Sequence, residues 1–297
     1  MRSVATSIPI RYTSSDGLLL HARDYPANIA RAGAARRPAP EPAPLPVICL
    51  HGLTRNADDF DEFAPRIARL GRRVLALDMR GRGHSARDPD PGNYNPKVYA
   101  GDVIRLMANL GIARAVFVGT SMGGLITLAV AAQNIDLIAA AVLNDIGPVI
   151  SATGLARIAG YAGKAAAPGS WADAAGYVRD INLCAFPDNP EAEWSKWARR
   201  AFAPDTEGRL VPRYDPRIAI ALQNGKLRTT SLASRMAFRE LARQRPLLLV
   251  RGALSDLLEP RQVAWMRRAA PAMGYVEVPN VGHAPMLTEP AALDAIV

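Results

Sequence analysis

The run Gly119-Thr120-Ser121-Met122-Gly123-Gly124 constrains this chain more than any other. It follows the apolar, β-branched stretch Ala115-Val116-Phe117-Val118 and opens the apolar stretch Leu125-Ile126-Thr127-Leu128-Ala129-Val130. A strand feeding a helix through G-x-S-x-G leaves room for only one kind of turn, a tight elbow with the serine at its tip. So sharp a turn forces the serine into strained backbone geometry, and bulky neighbours would not fit; Gly119 and Gly123 meet that need. The serine hydroxyl then stands beside the first amides of a helix, which carry partial positive charge and favour an anion.

A serine hydroxyl needs a base before it becomes a useful nucleophile, and histidine titrates in the right range. The chain has four histidines. His21 lies in the alternating segment Leu18–Arg23 and reads as an outward strand residue. His51 ends the strand Val47–Leu50, and His84 sits in a glycine-rich loop. His283 follows the strand Tyr275–Val278, in the loop Pro279-Asn280-Val281-Gly282-His283-Ala284-Pro285, which is where the base is needed. The third member is an acid that orients the imidazole. Asp256 follows the strand Leu247–Val250, and Asp145 follows the strand Ala140–Leu143. The order Ser121, Asp256, His283 favours Asp256; Asp145 is the alternative acid and otherwise structural. Backbone amides of Met122 and Leu53 are the candidate oxyanion hole, with Gly52 letting the chain approach the substrate closely.

Together these pieces resemble the α/β-hydrolase superfamily, serine-nucleophile branch. The resemblance rests on His51-Gly52-Leu53, Asp78-Met79-Arg80-Gly81-Arg82-Gly83-His84-Ser85, Gly119 to Gly124, Arg251-Gly252-Ala253-Leu254-Ser255-Asp256 and Gly282-His283, and it spans nearly the whole chain. It implies nucleophile Ser121, acid Asp256, base His283 and an oxyanion hole from the Leu53 and Met122 amides. The segment from Asp78 to Ser85 is a recurrent, mostly structural turn in that family, which leaves His84 outside the chemistry. Haloalkane dehalogenases and epoxide hydrolases carry an aspartate at the elbow, so serine at 121 argues against them. Meta-cleavage-product hydrolases, which cut carbon–carbon bonds, share the serine elbow, but their acid loop usually carries a tryptophan–glycine pair where this chain has Arg251-Gly252. Cofactor-free perhydrolases use the same three side chains. An ester or lactone hydrolase is the first expectation, with C–C hydrolysis, perhydrolysis and a non-catalytic ligand receptor as alternatives.

Strands alternating with helical patterns predict a mostly parallel, doubly wound α/β sheet. An N-terminal antiparallel hairpin over Ile8–Thr13 and Leu18–Tyr25 turns at Ser14-Ser15-Asp16-Gly17. Ile29 to Pro46, rich in alanine, proline and arginine, reads as a loop. From 150 to 235 the pattern turns helical, with no strand of the parallel kind. The expected organisation is therefore a hydrolase core over 1–149 and 236–297 and a helical lid over 150–235. Trp171, Trp194 and Trp197 fall in that insertion, either lining a substrate pocket or fastening the lid to the core.

The net charge of +9 does not read as a nucleic-acid signal. The positive residues are nearly all arginines, dispersed among alanines, with no basic run interleaved with aromatics. No zinc-like or phosphate-loop spacing occurs, so neither a metal nor a cofactor is expected. Two cysteines make no disulfide framework, and no segment has the roughly 18 consecutive apolar residues of a membrane span. With no signal-peptide pattern in Met1–Tyr12, a cytoplasmic protein acting on a small ester or lactone, without a nucleic-acid or membrane partner, is the default expectation.

Overall fold

The computed structural model describes residues 7–27, 44–164, 166–223 and 229–297. The predicted Ile29–Pro46 loop lies largely outside them. Strands β1 (Ile8–Thr13) and β2 (Leu19–Tyr25) form the expected antiparallel hairpin, turning at Gly17 with φ of 86°. Then follow β3 (Val47–Leu50), α1 (Phe63–Arg69), β4 (Val74–Asp78), α2 (Pro96–Asn109), β5 (Ala115–Thr120), α3 (Met122–Gln133) and β6 (Ile138–Asn144). Helices α4 (Ala152–Tyr161), α5 (Trp171–Asn182) and α6 (Glu191–Ala201) come next. A short hairpin of β7 (Phe202–Pro204) and β8 (Leu210–Pro212) and helices α7 (Ile220–Gln223) and α8 (Leu232–Gln244) follow. The chain closes with β9 (Leu247–Gly252), α9 (Pro260–Ala269), β10 (Gly274–Val278) and α10 (Pro290–Ile296).

One eight-stranded sheet runs in the order β1-β2-β4-β3-β5-β6-β9-β10. β2 pairs antiparallel to both β1 and β4, and the pairs from β4 through β10 are parallel. Side chains alternate faces along a strand, so a sheet covered on both sides needs apolar residues at every position. β3 shows this directly: Ile48 and Leu50 join the core cluster beneath α2, α3, α8 and α9, while Val47 and Cys49 join the cluster beneath α1 and α10. Among the described residues between β6 and β9 the named elements are helices apart from the β7–β8 hairpin, which the sequence pattern did not signal. Between β3 and β4 a 3₁₀ turn at Ala57–Phe60 precedes α1.

The parallel arrangement carries the strand exits of β3, β5, β6, β9 and β10 to one edge of the sheet, where ligands bind in folds of this kind. One turn near that edge rests on a buried cation. Arg80, 1% exposed, bonds Asp102 through Nε and Nη2 (2.8 and 2.6 Å) and Asp88 and Asp16 through Nη1 (2.5 and 2.7 Å). Removing the cation strands Asp88 and Asp102 as uncompensated buried carboxylates. Arg80→Met should therefore lower unfolding free energy by about 3–5 kcal/mol in urea titrations, and a change below about 1 kcal/mol would contradict the network's structural role.

Candidate active site

Ser121 caps α3 at φ 52° and ψ −115°, a conformation rare for a residue with a side chain. The glycines around it are required by contact. A methyl at Gly119 would meet the Gly123 carbonyl carbon at 2.5 Å, and one at Gly123 would meet the Leu50 carbonyl oxygen at 2.0 Å. The elbow thus presses α3 against β3 and β5 at backbone distance. Ser121 N donates to the Asn144 carbonyl at 3.0 Å, which pins the elbow to the end of β6.

His283 reaches the serine from the loop after β10, with Nε2 2.8 Å from Ser121 Oγ. Its Nδ1 lies 2.7 Å from Oδ2 of Asp145, so the acid against the imidazole is Asp145 and not the favoured Asp256. Asp145 follows β6, the strand next to the nucleophile strand, and a φ of 55° turns its side chain into the sheet edge. The carboxylate is fully buried and well partnered: Oδ1 accepts from Gly252 N at 3.0 Å, and Oδ2 also accepts from Ser255 Oγ at 2.5 Å. Ser255 thus faces Asp145, and the next residue points elsewhere. Asp256 takes a bidentate contact from Arg157 of α4, at 2.5 and 2.9 Å. Burial works to raise the Asp256 carboxyl, but the Arg157 guanidinium overrides it and holds the carboxyl below its usual range. Both acids follow Ser121 and precede His283 in the chain, so order alone could not separate them.

A hydroxyl bonded to an imidazole that is bonded in turn to a buried carboxylate can pass its proton to Nε2 while the carboxylate holds the ring. Among the described residues, neither the Leu53 nor the Met122 amide donates to a protein acceptor, which leaves both available to an oxygen at Ser121. Two buried groups hold these amides in place. His51 Nδ1 donates to the Gly52 carbonyl at 2.7 Å, and Nε2 accepts from Met79 N at 3.1 Å, so the ring is neutral. Burial pushes its pKa down to about 4. Arg82, read from the sequence only as part of a structural turn, donates from Nε to the Leu53 carbonyl at 3.0 Å and from Nη2 to the Met122 sulfur at 3.5 Å. Its guanidinium also lies over Tyr94 and Tyr99, at 5.5 and 5.0 Å from the ring centroids. One arginine therefore bridges the two candidate oxyanion residues.

Two cavities meet at Ser121. One, of about 90 Å³, is lined by His283, Arg55, Asp59, Tyr161, Asn182 and neighbouring residues. The other, of about 80 Å³, is almost wholly apolar, with Leu125, Ile146, Ile150, Leu155, Ile218 and Leu257 among its walls. The tryptophans line neither. Trp194 and Trp197 are buried edge to face at 5.1 Å within the insertion's own core, and Trp171 packs under Arg199 at 4.5 Å. The Arg55 guanidinium lies 5.5 Å from the Trp197 ring centroid, and Val281 and Met286 pack against the same cluster, so Trp197 sits between the helices of 150–235 and the loops at the sheet edge. Among the described residues no cluster of three metal-ligating side chains occurs, and no helix is long and apolar enough to cross a membrane.

His51 makes stability depend on pH. Its folded pKa, about 4, lies below the unfolded value of 6.5, so the unfolded chain takes up the proton first. The contribution is complete above pH 6.5 and is lost as pH falls toward 4, amounting to roughly 3 kcal/mol. Unfolding free energies of wild type and His51→Gln across pH 4–7 should show a shallower acid loss in the variant; parallel curves would exclude His51 as a titrating group.

Residues 46–290 match the family described as alpha/beta hydrolase fold. The structure superposes on an alpha/beta hydrolase from Novosphingobium aromaticivorans with a TM-score of 0.86 and 40% sequence identity, covering 99% of this chain and 98% of that one. A 3-hydroxybutyrate-oligomer hydrolase of Cupriavidus necator is 32% identical over 254 residues, covering 84% of this chain and 86% of that protein. An esterase of Mycobacterium tuberculosis is 29% identical over 259 residues, covering 84% and 80%. With an elbow, a sheet order and a family match that agree, the chain belongs to the alpha/beta hydrolase fold family.

Proposed function

We propose that this protein is a serine hydrolase that cleaves carboxylic esters through an acyl-enzyme. The observation that carries the reading is the continuous relay from Ser121 Oγ to His283 Nε2 at 2.8 Å and from His283 Nδ1 to Asp145 Oδ2 at 2.7 Å. Ser121 attacks the ester carbonyl as His283 takes its proton, and the Leu53 and Met122 amides hold the tetrahedral oxyanion. His283 returns the proton to the leaving oxygen, the carbon–oxygen bond breaks, and the alcohol departs. Water, deprotonated by His283, then attacks the acyl-serine and releases the acid. Asp145 holds the imidazole in the Nδ1–H tautomer and stabilises its cation. The esterase and the oligomer hydrolase among the relatives support the hydrolase reading.

In this reading the inserted helices form a lid. α4 contributes Ile158 and Tyr161 and α5 contributes Ile181 and Asn182 to the cavity walls. The Arg157–Asp256 pair fastens α4 to the loop after β9, beside Gly154, where a methyl would come within 2.6 Å of Leu257 Cα.

Ser121→Ala should lower turnover of a p-nitrophenyl ester by up to about a millionfold and abolish labelling by a fluorophosphonate probe. Near-wild-type turnover in that variant would sink the reading. Asp145→Asn should cost about ten-thousandfold in kcat, and Asp256→Asn much less. The reverse ranking would restore Asp256 as the acid.

A further inference from the structure

The two cavities at Ser121 differ in chemistry, and the proton relay decides which part of an ester each one takes. The leaving oxygen must receive its proton from His283 Nε2, so the leaving alcohol lies on the side that His283 lines. His283 lines the polar cavity and not the apolar one. The acyl group therefore enters the apolar cavity. There the hydroxyls of Tyr94 and Tyr99 are already engaged, by Asp215 and the Asp88 amide and by Arg82 respectively. Nothing in that wall asks for a charged acyl chain.

The leaving-group cavity holds a cation with donors to spare. Arg55 follows directly on the Gly52-Leu53-Thr54 turn, and a methyl at Gly52 would meet Arg55 Cγ at 3.5 Å and Ser121 Cβ at 3.8 Å. The arginine stem and the nucleophile thus flank the same small space. Asp59 accepts from Nε at 2.8 Å, and the guanidinium lies 5.5 Å from the centroid of the Trp197 ring, so its plane is fixed before any ligand arrives. The terminal edge is poorly occupied: Nη2 reaches only the Met286 sulfur at 3.6 Å, and Nη1 has no hydrogen-bond partner among the described residues. A planar guanidinium held by one edge, with its other edge open to a cavity, matches the two oxygens of a carboxylate.

We propose that Arg55 binds a carboxylate carried on the leaving alcohol, which makes the substrate an O-acyl hydroxy acid with an apolar acyl group. Hydrolysis then releases a free hydroxy acid and a carboxylic acid. This rests on the ester-hydrolase reading above and adds the substrate class and the residue that selects it. Arg55 acts by positioning: it orients the leaving alcohol so that its ester oxygen faces His283, and it takes no part in proton transfer.

The test compares 3-(butanoyloxy)butanoate with its uncharged, isosteric primary amide, reading butanoate release. Wild type should favour the carboxylate by at least about tenfold in kcat/KM, mainly through KM. Arg55→Met should collapse that ratio to near one, and Arg55→Lys should restore part of it. Because the ratio is taken within each variant, a general loss of activity does not disturb it. A second measurement needs no variant: 3-hydroxybutanoate should inhibit wild-type p-nitrophenyl butyrate hydrolysis at least about tenfold more tightly than 3-hydroxybutanamide. Equal cleavage of acid and amide by wild type, or an unchanged ratio in Arg55→Met, overturns the proposal while leaving ester hydrolysis intact. Failure to cleave either compound, together with p-nitrophenyl esters, overturns both.

Discussion

Everything at this site hangs on one cramped piece of backbone. Ser121 sits at φ 52° because the chain must pass from β5 into α3 with no residue to spare, and the Leu50 carbonyl blocks any side chain at position 123. That strain costs on the order of 1–3 kcal/mol. It is sustained because β3, β5 and β6 are buried on both faces and cannot shift to relieve it. The same crowding delivers three useful things together: a half-buried hydroxyl beside the His283 ring, a Met122 amide with no acceptor among the described residues, and a Leu53 turn close enough to supply a second one.

Around that elbow buried polar side chains tie separate loops and strands together. Asn144 reaches Thr120 Oγ1 at 3.0 Å and the Pro285 carbonyl at 2.7 Å, linking the nucleophile strand to the loop that carries His283. His51 and Arg82 do the same for the two amides. None of these three side chains takes part in the proposed chemistry. Each fixes where a reacting group stands, and a displacement of about an ångström is enough to cost orders of magnitude in rate.

Local pattern made much of this legible beforehand. The elbow, the hairpin at Gly17 and the parallel sheet follow from apolar periodicity and from glycines at positions with no alternative. His283 was singled out because few histidines compete and only one follows the last strand, and its ring does lie against Ser121. The carboxylate beside the imidazole was misplaced for a physical reason. Asp145 and Asp256 both sit just beyond parallel strands at the same edge, and whether a side chain turns toward the imidazole depends on one backbone dihedral that spacing does not encode. The single cue in the chain was Arg157, a cation in the insertion that would need a carboxylate, but its pairing with Asp256 is long-range. The tryptophans carried two open roles for a similar reason, since a large aromatic serves a small core of its own as readily as a ligand. Arg82 lay inside a motif read as structural, and its reach to Leu53 and Met122 exists only once three separate loops are brought together.

Ile158 borders both cavities, and it stands one residue from the arginine that moors its helix to the core. Leu53 and Ser121 also line both, but of these three shared residues Ile158 alone lies on a helix between β6 and β9, so in the proposed binding mode part of the partition between the two halves of a substrate is carried by α4. Selectivity for one half cannot drift independently of selectivity for the other: any exchange at this position redraws both compartments at once. Diversification of such a protein would then proceed by replacing or re-angling a whole helix, with the strand edge beneath it left untouched.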